Sequence, residues 1–256
     1  MDERRRWTRD ELLLALHLYE RIPFGQQHQA NPQVIDLARA LSRTPGSVAM
    51  KLNNFTSLDP EETKRGIKGL VGASALDAKV WNEFHASADV VEESEELWEA
   101  RMERDPPASS PREPSPFLSV TEATAARKIR LGQRYFRRVV LANFDQRCAL
   151  TGISQPDLLT ASHISPWAED ASNRVEVANG LCLNRLHDAA FDRKLITFDD
   201  ELRLVVGRRI REALAPGALA NAFLAYEGKK LAEPVRRPLS IALVRSHREA
   251  FTDAEN

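Results

Sequence analysis

Hydrophobic positions follow a helical period in the first part of the chain. After Trp7, Thr8-Arg9-Asp10-Glu11 has capping-box spacing and leads into LLLALHLYERI, which predicts a first helix over 9–21. Asn31-Pro32 opens a second helix, PQVIDLARALS, with Val34, Ile35, Leu37, Ala38 and Leu41 on or near one face. The turn RTPG opens a third, SVAMKLNNF. His17 lies within the first apolar stripe and is expected to pack in the core. Over 74–104 the chain has good helix formers, with Trp81, Phe84, Val91, Leu97 and Trp98 as expected buried contacts.

A break follows. DPPASSPREPSPFLS, 105–119, holds five prolines in fifteen residues and reads as an extended linker. Beyond it, 121–143 reads as a helix with Ile129, Leu131, Phe136, Val139, Val140 and Leu141 apolar and Arg127, Lys128, Arg130, Arg134, Arg137 and Arg138 basic. The period then shortens. RCALTGI ends in a turn, LLTASHI has strand-like content, Asn179-Gly180 opens the apolar run LCLN, and LHDAAFDRKLI reads as a short helix. ITFDDELRLVV predicts a hairpin turning at Asp199-Asp200. The expected organisation is a helical domain over 1–104, a linker over 105–119 and a mixed domain over 120–256.

Composition adds exclusions. With 43% hydrophobic and 29% charged residues, the chain is neither collagen-like nor wholly disordered. No apolar run approaches the roughly 20 residues of a membrane span, and the start lacks a signal-peptide core, so a cytoplasmic location and no membrane partner are expected. Cys148 and Cys182 are too few for a disulfide framework and are expected to be reduced thiols, with Cys182 a small core residue. The net charge of -1 conceals three blocks. Residues 1–76 carry 11 Lys/Arg against 9 Asp/Glu, 77–119 carry 4 against 11, and 120–256 carry 21 against 17. Basic blocks thus flank an acidic one, and whole-chain charge is no argument against DNA. The acidic run EESEELWEARMER reads as a solvated helical face beside the linker.

The three amino-terminal helices, with a tight turn before the last, have the layout of a helix-turn-helix module. LARALSRTPGSVAMKLNNF, with Trp7 and Glu11, resembles the tri-helical Myb/SANT-like class. That resemblance would put Arg43, Ser47, Lys51, Asn53 and Asn54 against phosphates or base edges. The alternative is a small bundle that packs only on protein. Along the helix over 121–143, a phosphate-binding role for Arg130, Arg134, Arg137 and Arg138 stands level with a solvated basic face.

Ser162-His163-Ile164, Asn179-Gly180-Leu181 and Leu186-His187-Asp188 with Phe191-Asp192 resemble the HNH endonucleases. RLGQRYFRRVVLANFDQRCALTGI before them, KLITFDDELRLVV after them and the terminal HREAF extend the likeness over most of 120–256. The resemblance implies an α+β fold: an N-terminal helical, helix-turn-helix-like domain and a C-terminal ββα-metal HNH domain with flanking helices. It implies a metal-dependent DNA endonuclease of restriction or phage-defence type. His163 would be the general base, Asn179 a brace that orients it, and a divalent ion, magnesium or manganese, would sit near His187. Ser162 stands where many HNH enzymes have a liganding Asp, so Asp188 or Asp192 is expected to supply the missing carboxylate. The second pairs of a cysteine zinc knuckle would fall at Cys148, Thr151, Asn184 and His187, a set that predicts no structural zinc. Trp167 would fill the core or wall the site. Cutting both strands in one event calls for two active sites and hence a homodimer, although no heptad seam marks one. The competing reading is an inactive HNH fold that serves as a DNA-binding or adaptor protein. An RNA target ranks low, since no stacking-aromatic signature is visible.

Overall fold

The computed structural model describes residues 5–102, 120–166, 173–213 and 218–255. The proline-rich linker, Trp167 and the side chains of Arg127 and Lys128 lie outside the described residues. The chain divides into two compact units, Met1–Tyr135 and Phe136–Asn256. The division falls within a long helix. Among the described residues no helix is long and apolar enough to cross a membrane.

The first unit is built around α1 (Arg9–Tyr19), whose residues from Glu11 to Tyr19 are all buried. A helix this short, with Leu at 12, 13, 14, 16 and 18, has no side that water would solvate well, so neighbours enclose it. Its start is fixed by the expected capping box, with the Thr8 hydroxyl accepting from the Glu11 amide and the Glu11 carboxylate accepting from the Thr8 amide. Around it lie α2 (Pro32–Ala40), α3 (Pro45–Leu58), α5 (Ala75–Ala86) and α6 (Ala88–Met102). A short α4 (Pro60–Lys64) follows α3 directly. Gly69 is needed where the chain turns back over α3: its φ is +60° and an added Cβ would lie 2.5 Å from the Ser57 amide nitrogen. Trp81, Phe84, Val91 and Trp98 are buried as the pattern predicts, and His17 is wholly enclosed, stacked on Trp98 with its Nδ1 3.2 Å from the Ser94 hydroxyl.

The acidic segment is a solvated face only in part. Asp89 and Glu96 are exposed, whereas Asp77 and Glu95 are fully buried and several acidic side chains of α5 and α6 are counter-charges of the unit. Both Asp77 carboxylate oxygens accept from Lys51 Nζ at 2.8 Å, Glu83 and Glu93 hold Arg9, and Glu99 holds Arg134. Arg134 belongs to α7 (Val120–Asn143), whose residues up to Tyr135 fall in this unit.

In the second unit, β1 (Leu159–His163) and β2 (Gly180–Asn184) form an antiparallel pair in which Leu159 faces Asn184 and His163 faces Gly180. The helix α8 (Arg185–Asp192) starts at the end of β2, capped by the Asn184 side chain, which accepts from the Leu186 and His187 amides. A second hairpin pairs β3 (Ile196–Phe198) with β4 (Leu204–Val206), and its turn is held where the sequence predicts, by the Asp199 carboxylate accepting from the Glu201 and Arg203 amides. Short helices α9 (Arg208–Ala213) and α10 (Ala218–Phe223) lead to the closing helix α11 (Ile241–Glu255). The core between these elements includes Phe136, Val140, Leu159, Leu181, Cys182, Phe191 and Phe198.

The HREAF histidine fastens α11 to this core. His247 Nε2 lies 3.1 Å from the Phe191 carbonyl, which can only accept, so Nε2 carries the proton and Nδ1 accepts from the Thr197 hydroxyl at 3.0 Å. Its ring stacks on Phe191 at 3.7 Å. Burial, aided by Lys194, lowers its pKa to about 4. The unfolded chain therefore takes up this proton near pH 6.5 and the folded one only near 4, so stability present above that window falls as pH drops through it. The expected loss is about 3 kcal/mol. Urea unfolding followed between these pH values should show the loss in wild type and a flatter profile in His247→Asn; parallel profiles would contradict it.

Candidate active site

Register puts His163 at the end of β1 beside Gly180, and a stack and a hydrogen bond hold its ring. Phe136 of α7 stacks beneath it at 3.8 Å with the planes 10° apart. His163 Nε2 lies 3.0 Å from the Arg174 carbonyl. Because a carbonyl only accepts, Nε2 bears the proton and Nδ1 is the basic nitrogen of the ring. Burial is the largest influence on its pKa and lowers it, against the opposing pull of the Arg174 carbonyl and Asp188. The ring is thus held neutral, in one tautomer, near neutral pH.

Asn179 builds the segment next to His163: its Oδ1 accepts from the Ser165 amide at 2.7 Å, and its Nδ2 donates to the Ser165 and Asn173 carbonyls, both at 3.1 Å. The Ile164 amide donates to the Asn179 carbonyl at 2.9 Å. Asn179 therefore ties Ser165 to Asn173, next to the residue whose carbonyl holds His163. Its expected role is to position that histidine. Asn179→Ala, which removes three part-buried hydrogen bonds, is expected to cost about 2–3 kcal/mol at roughly 1 kcal/mol per lost bond. In a nuclease assay it should lower kcat far more than it raises KM, with Asn179→Asp intermediate because it keeps the bond to the Ser165 amide. Equal kcat values in all three proteins would remove the positioning role.

On α8 the two residues of the His187-Asp188 pair face different ways. His187, Ala190 and Phe191 form the buried side of the helix, with His187 Nε2 2.8 Å from the Ala222 carbonyl and its ring against Phe223 and Tyr226. Successive helical residues point about 100° apart, so Asp188 and Asp192, one turn apart, lie on another side. That side is near β1. Asp188 acts electrostatically on His163, and the buried Ser162 hydroxyl, which completes no hydrogen bond of ordinary geometry, is close enough to draw the Asp188 pKa down. Burial dominates and keeps the Asp188 carboxyl above its usual range, with repulsion from Asp192 adding to it and Arg185 and Arg193 opposing. Burial also raises Asp192. The structure thus brings His163, Ser162, Asp188 and Asp192 to one side of α8 and places His187 in the core.

Among the described residues no three His, Cys, Asp or Glu side chains gather closely enough to hold a metal ion by themselves. Magnesium does not require three, since it is commonly held by one or two carboxylates with water and substrate phosphate. A half-buried Asp188 repelled by the exposed Asp192, beside the buried Ser162 hydroxyl, is a donor set that a divalent cation would relieve. The knuckle positions are tied by hydrogen bonds: Cys148 Sγ accepts from the Asn184 amide at 3.3 Å and the Thr151 amide at 3.5 Å, and Asn184 Nδ2 donates to the Thr151 hydroxyl at 3.3 Å.

The basic residues singled out in the sequence are largely engaged elsewhere. Arg43 donates to Glu11 and to the Arg5 and Arg6 carbonyls and lies over the Trp7 ring at 4.1 Å, with its side chain only 7% exposed. Lys51 is buried on Asp77, and Asn53 Nδ2 donates to the Gln27 and Ala49 carbonyls. Ser47 and Asn54 are half-buried, while Met50 between them is exposed. On α7, Arg130 is exposed, Arg138 is half-buried, and Arg137 donates to the Leu159 and Pro156 carbonyls.

Residues 148–199, which contain β1, β2, α8 and β3, match the model of the HNH endonuclease family. No curated protein matches the chain. The match supports the HNH family for this stretch and, in general terms, a nuclease.

Proposed function

We propose that the protein is a metal-dependent DNA endonuclease whose second unit hydrolyses phosphodiester bonds, of the restriction or phage-defence type. The observation that carries this reading is the fixed His163 ring, with Nε2 on the Arg174 carbonyl and Nδ1 as its base, beside Asp188 in a segment that matches the HNH model.

His163 Nδ1 takes a proton from the attacking water while the ring stays planar on Phe136. Asp188 and Asp192 would hold the divalent ion, magnesium or manganese, with Ser162 beside them. When bound, that ion supplies positive charge to the phosphate and to the leaving 3′-oxygen. We read His187 as the residue that holds α8 at the angle that presents Asp188: its Nε2 donates to the Ala222 carbonyl, and its Nδ1 is buried without a hydrogen-bond partner among the described residues. In the first unit, Ser47 and Asn54 are the α3 side chains best placed for base edges, because Arg43 and Lys51 serve internal pairs. Cutting both strands would use two copies.

The test is nicking of supercoiled plasmid by the purified full chain in EDTA, magnesium or manganese, on unmodified, methylated and hydroxymethylated DNA. Nicking that requires the metal supports the reading. Binding of DNA with no product on any of these substrates would instead favour an inactive HNH fold, the reading to which Ser162 in a liganding position lends support.

A further inference from the structure

We propose that Arg185 and Arg193, at the two ends of α8, form a two-point clamp on the phosphate backbone to either side of the bond that is cut. The inference rests on the nuclease reading and deepens it.

Four observations carry it. Both arginines are exposed, and neither pairs with an acidic side chain among the described residues. This sets them apart from Arg9, Arg43, Lys51 and Arg134, each of which is neutralised within its own unit. Both are aimed rather than loose: Arg185 donates through Nε to the Asp157 carbonyl at 3.0 Å, and Arg193 donates through one terminal nitrogen to the Ala189 carbonyl at 3.1 Å. In each case at least one guanidinium nitrogen is left for an anion. They flank Asp188 along the chain, three residues before it and five after it, and neither closes a salt bridge onto it among the described residues. Two uncommitted cations beside a carboxylate pair are what a phosphate bridged to a carboxylate-held cation would meet.

Spacing suits a strand of DNA. Eight residues along a helix span about 12 Å at 1.5 Å per residue, which is three to four nucleotides at roughly 3.4 Å each. Asp188 lies between the two arginines along the helix axis, and at 100° per residue positions 185, 188, 189, 192 and 193 fall within about 140° of the helix surface. A planar guanidinium can grip a phosphate through two parallel bonds, which a lysine cannot reproduce. The clamp therefore acts by positioning the scissile phosphate against His163 and Asp188, and it reads no sequence.

The test is the salt dependence of kcat/KM for plasmid nicking by the full chain, on whichever plasmid the wild type cuts. Arg185→Gln and Arg193→Gln should each flatten the slope of log(kcat/KM) against log(salt) by about one, and the double variant by about two. KM should rise more than kcat falls, and Arg193→Lys should restore the slope. Arg245→Gln, which removes an exposed arginine paired with Asp200, should leave the slope unchanged. If Arg185→Gln fails to fold for want of its bond to Asp157, Arg193→Gln carries the test alone. An active wild type whose slope is unmoved by Arg193→Gln overturns the clamp and leaves the nuclease standing; a wild type silent on every plasmid overturns both.

Discussion

His163→Ala is expected to lower metal-dependent nicking by about 100- to 10,000-fold, the range of a general base, while DNA binding and folding persist. The variant removes the imidazole on which Asp188 acts and takes away no phosphate-binding charge, because the ring is neutral near pH 7. It also leaves a gap over Phe136, so a loss of stability of about 1 kcal/mol is expected alongside, from the stacked contact. The two effects are separated by a second variant. His187→Ala should destabilise more, since it empties a buried position against Phe223 and Tyr226, but the protein that remains folded should retain most of its activity. Single-turnover rates and urea midpoints for both variants decide the matter: if His187→Ala abolished chemistry at undiminished stability, the assignment of the two histidines would have to be exchanged.

Gly180→Ala should be among the most disruptive single-methyl changes in the second unit. A Cβ there would lie 2.2 Å from Val140 Cγ2 and 2.9 Å from Phe136 Cζ, both on the buried side of α7. Neither neighbour is the far end of a flexible side chain. Overpacking of this kind costs typically 1–3 kcal/mol, and the overlap here puts the expected loss toward the upper end. Activity should fall further than stability does, because the displaced Phe136 ring is the surface on which His163 rests. Val140→Ala in the same chain should return part of the lost stability by making room, a coupling of the kind seen between residues in contact. A Gly180→Ala protein with unchanged melting temperature would mean that α7 can withdraw from β2 at little cost.

Much of this site could be read from the sequence because its parts are local. The order of strand, strand and helix, the hairpin at Asp199, the capping box at Thr8 and the pairing of His163 with the Asn179 segment all follow from short-range pattern. What the pattern cannot carry is direction. His187 and Asp188 are neighbours in sequence, and which of them faces β1 depends on how α8 is rotated against Phe223 and Tyr226, more than thirty residues later. The same holds for Lys51, whose role was set by Asp77 on a helix still to come, and for Arg43, which Glu11 had already claimed. Charge counted by block has this defect too, since it cannot tell an acid that repels solvent DNA from one that neutralises a base within its own bundle. Arg185 and Arg193 are legible in the sequence, because in NRLHDAAFDRK they stand before and after the stretch that carries both aspartates.

Asn179 joins Ser165 to Asn173 with three hydrogen bonds, beside Arg174, so the carbonyl that fixes His163 is held in place before any substrate arrives. Confining a backbone residue to one conformation takes roughly 1–2 kcal/mol of entropy. That cost falls on folding here and is absent from the barrier to hydrolysis. Changes that loosen this closure should therefore register as a more negative activation entropy, with the enthalpy of the chemical step nearly unchanged.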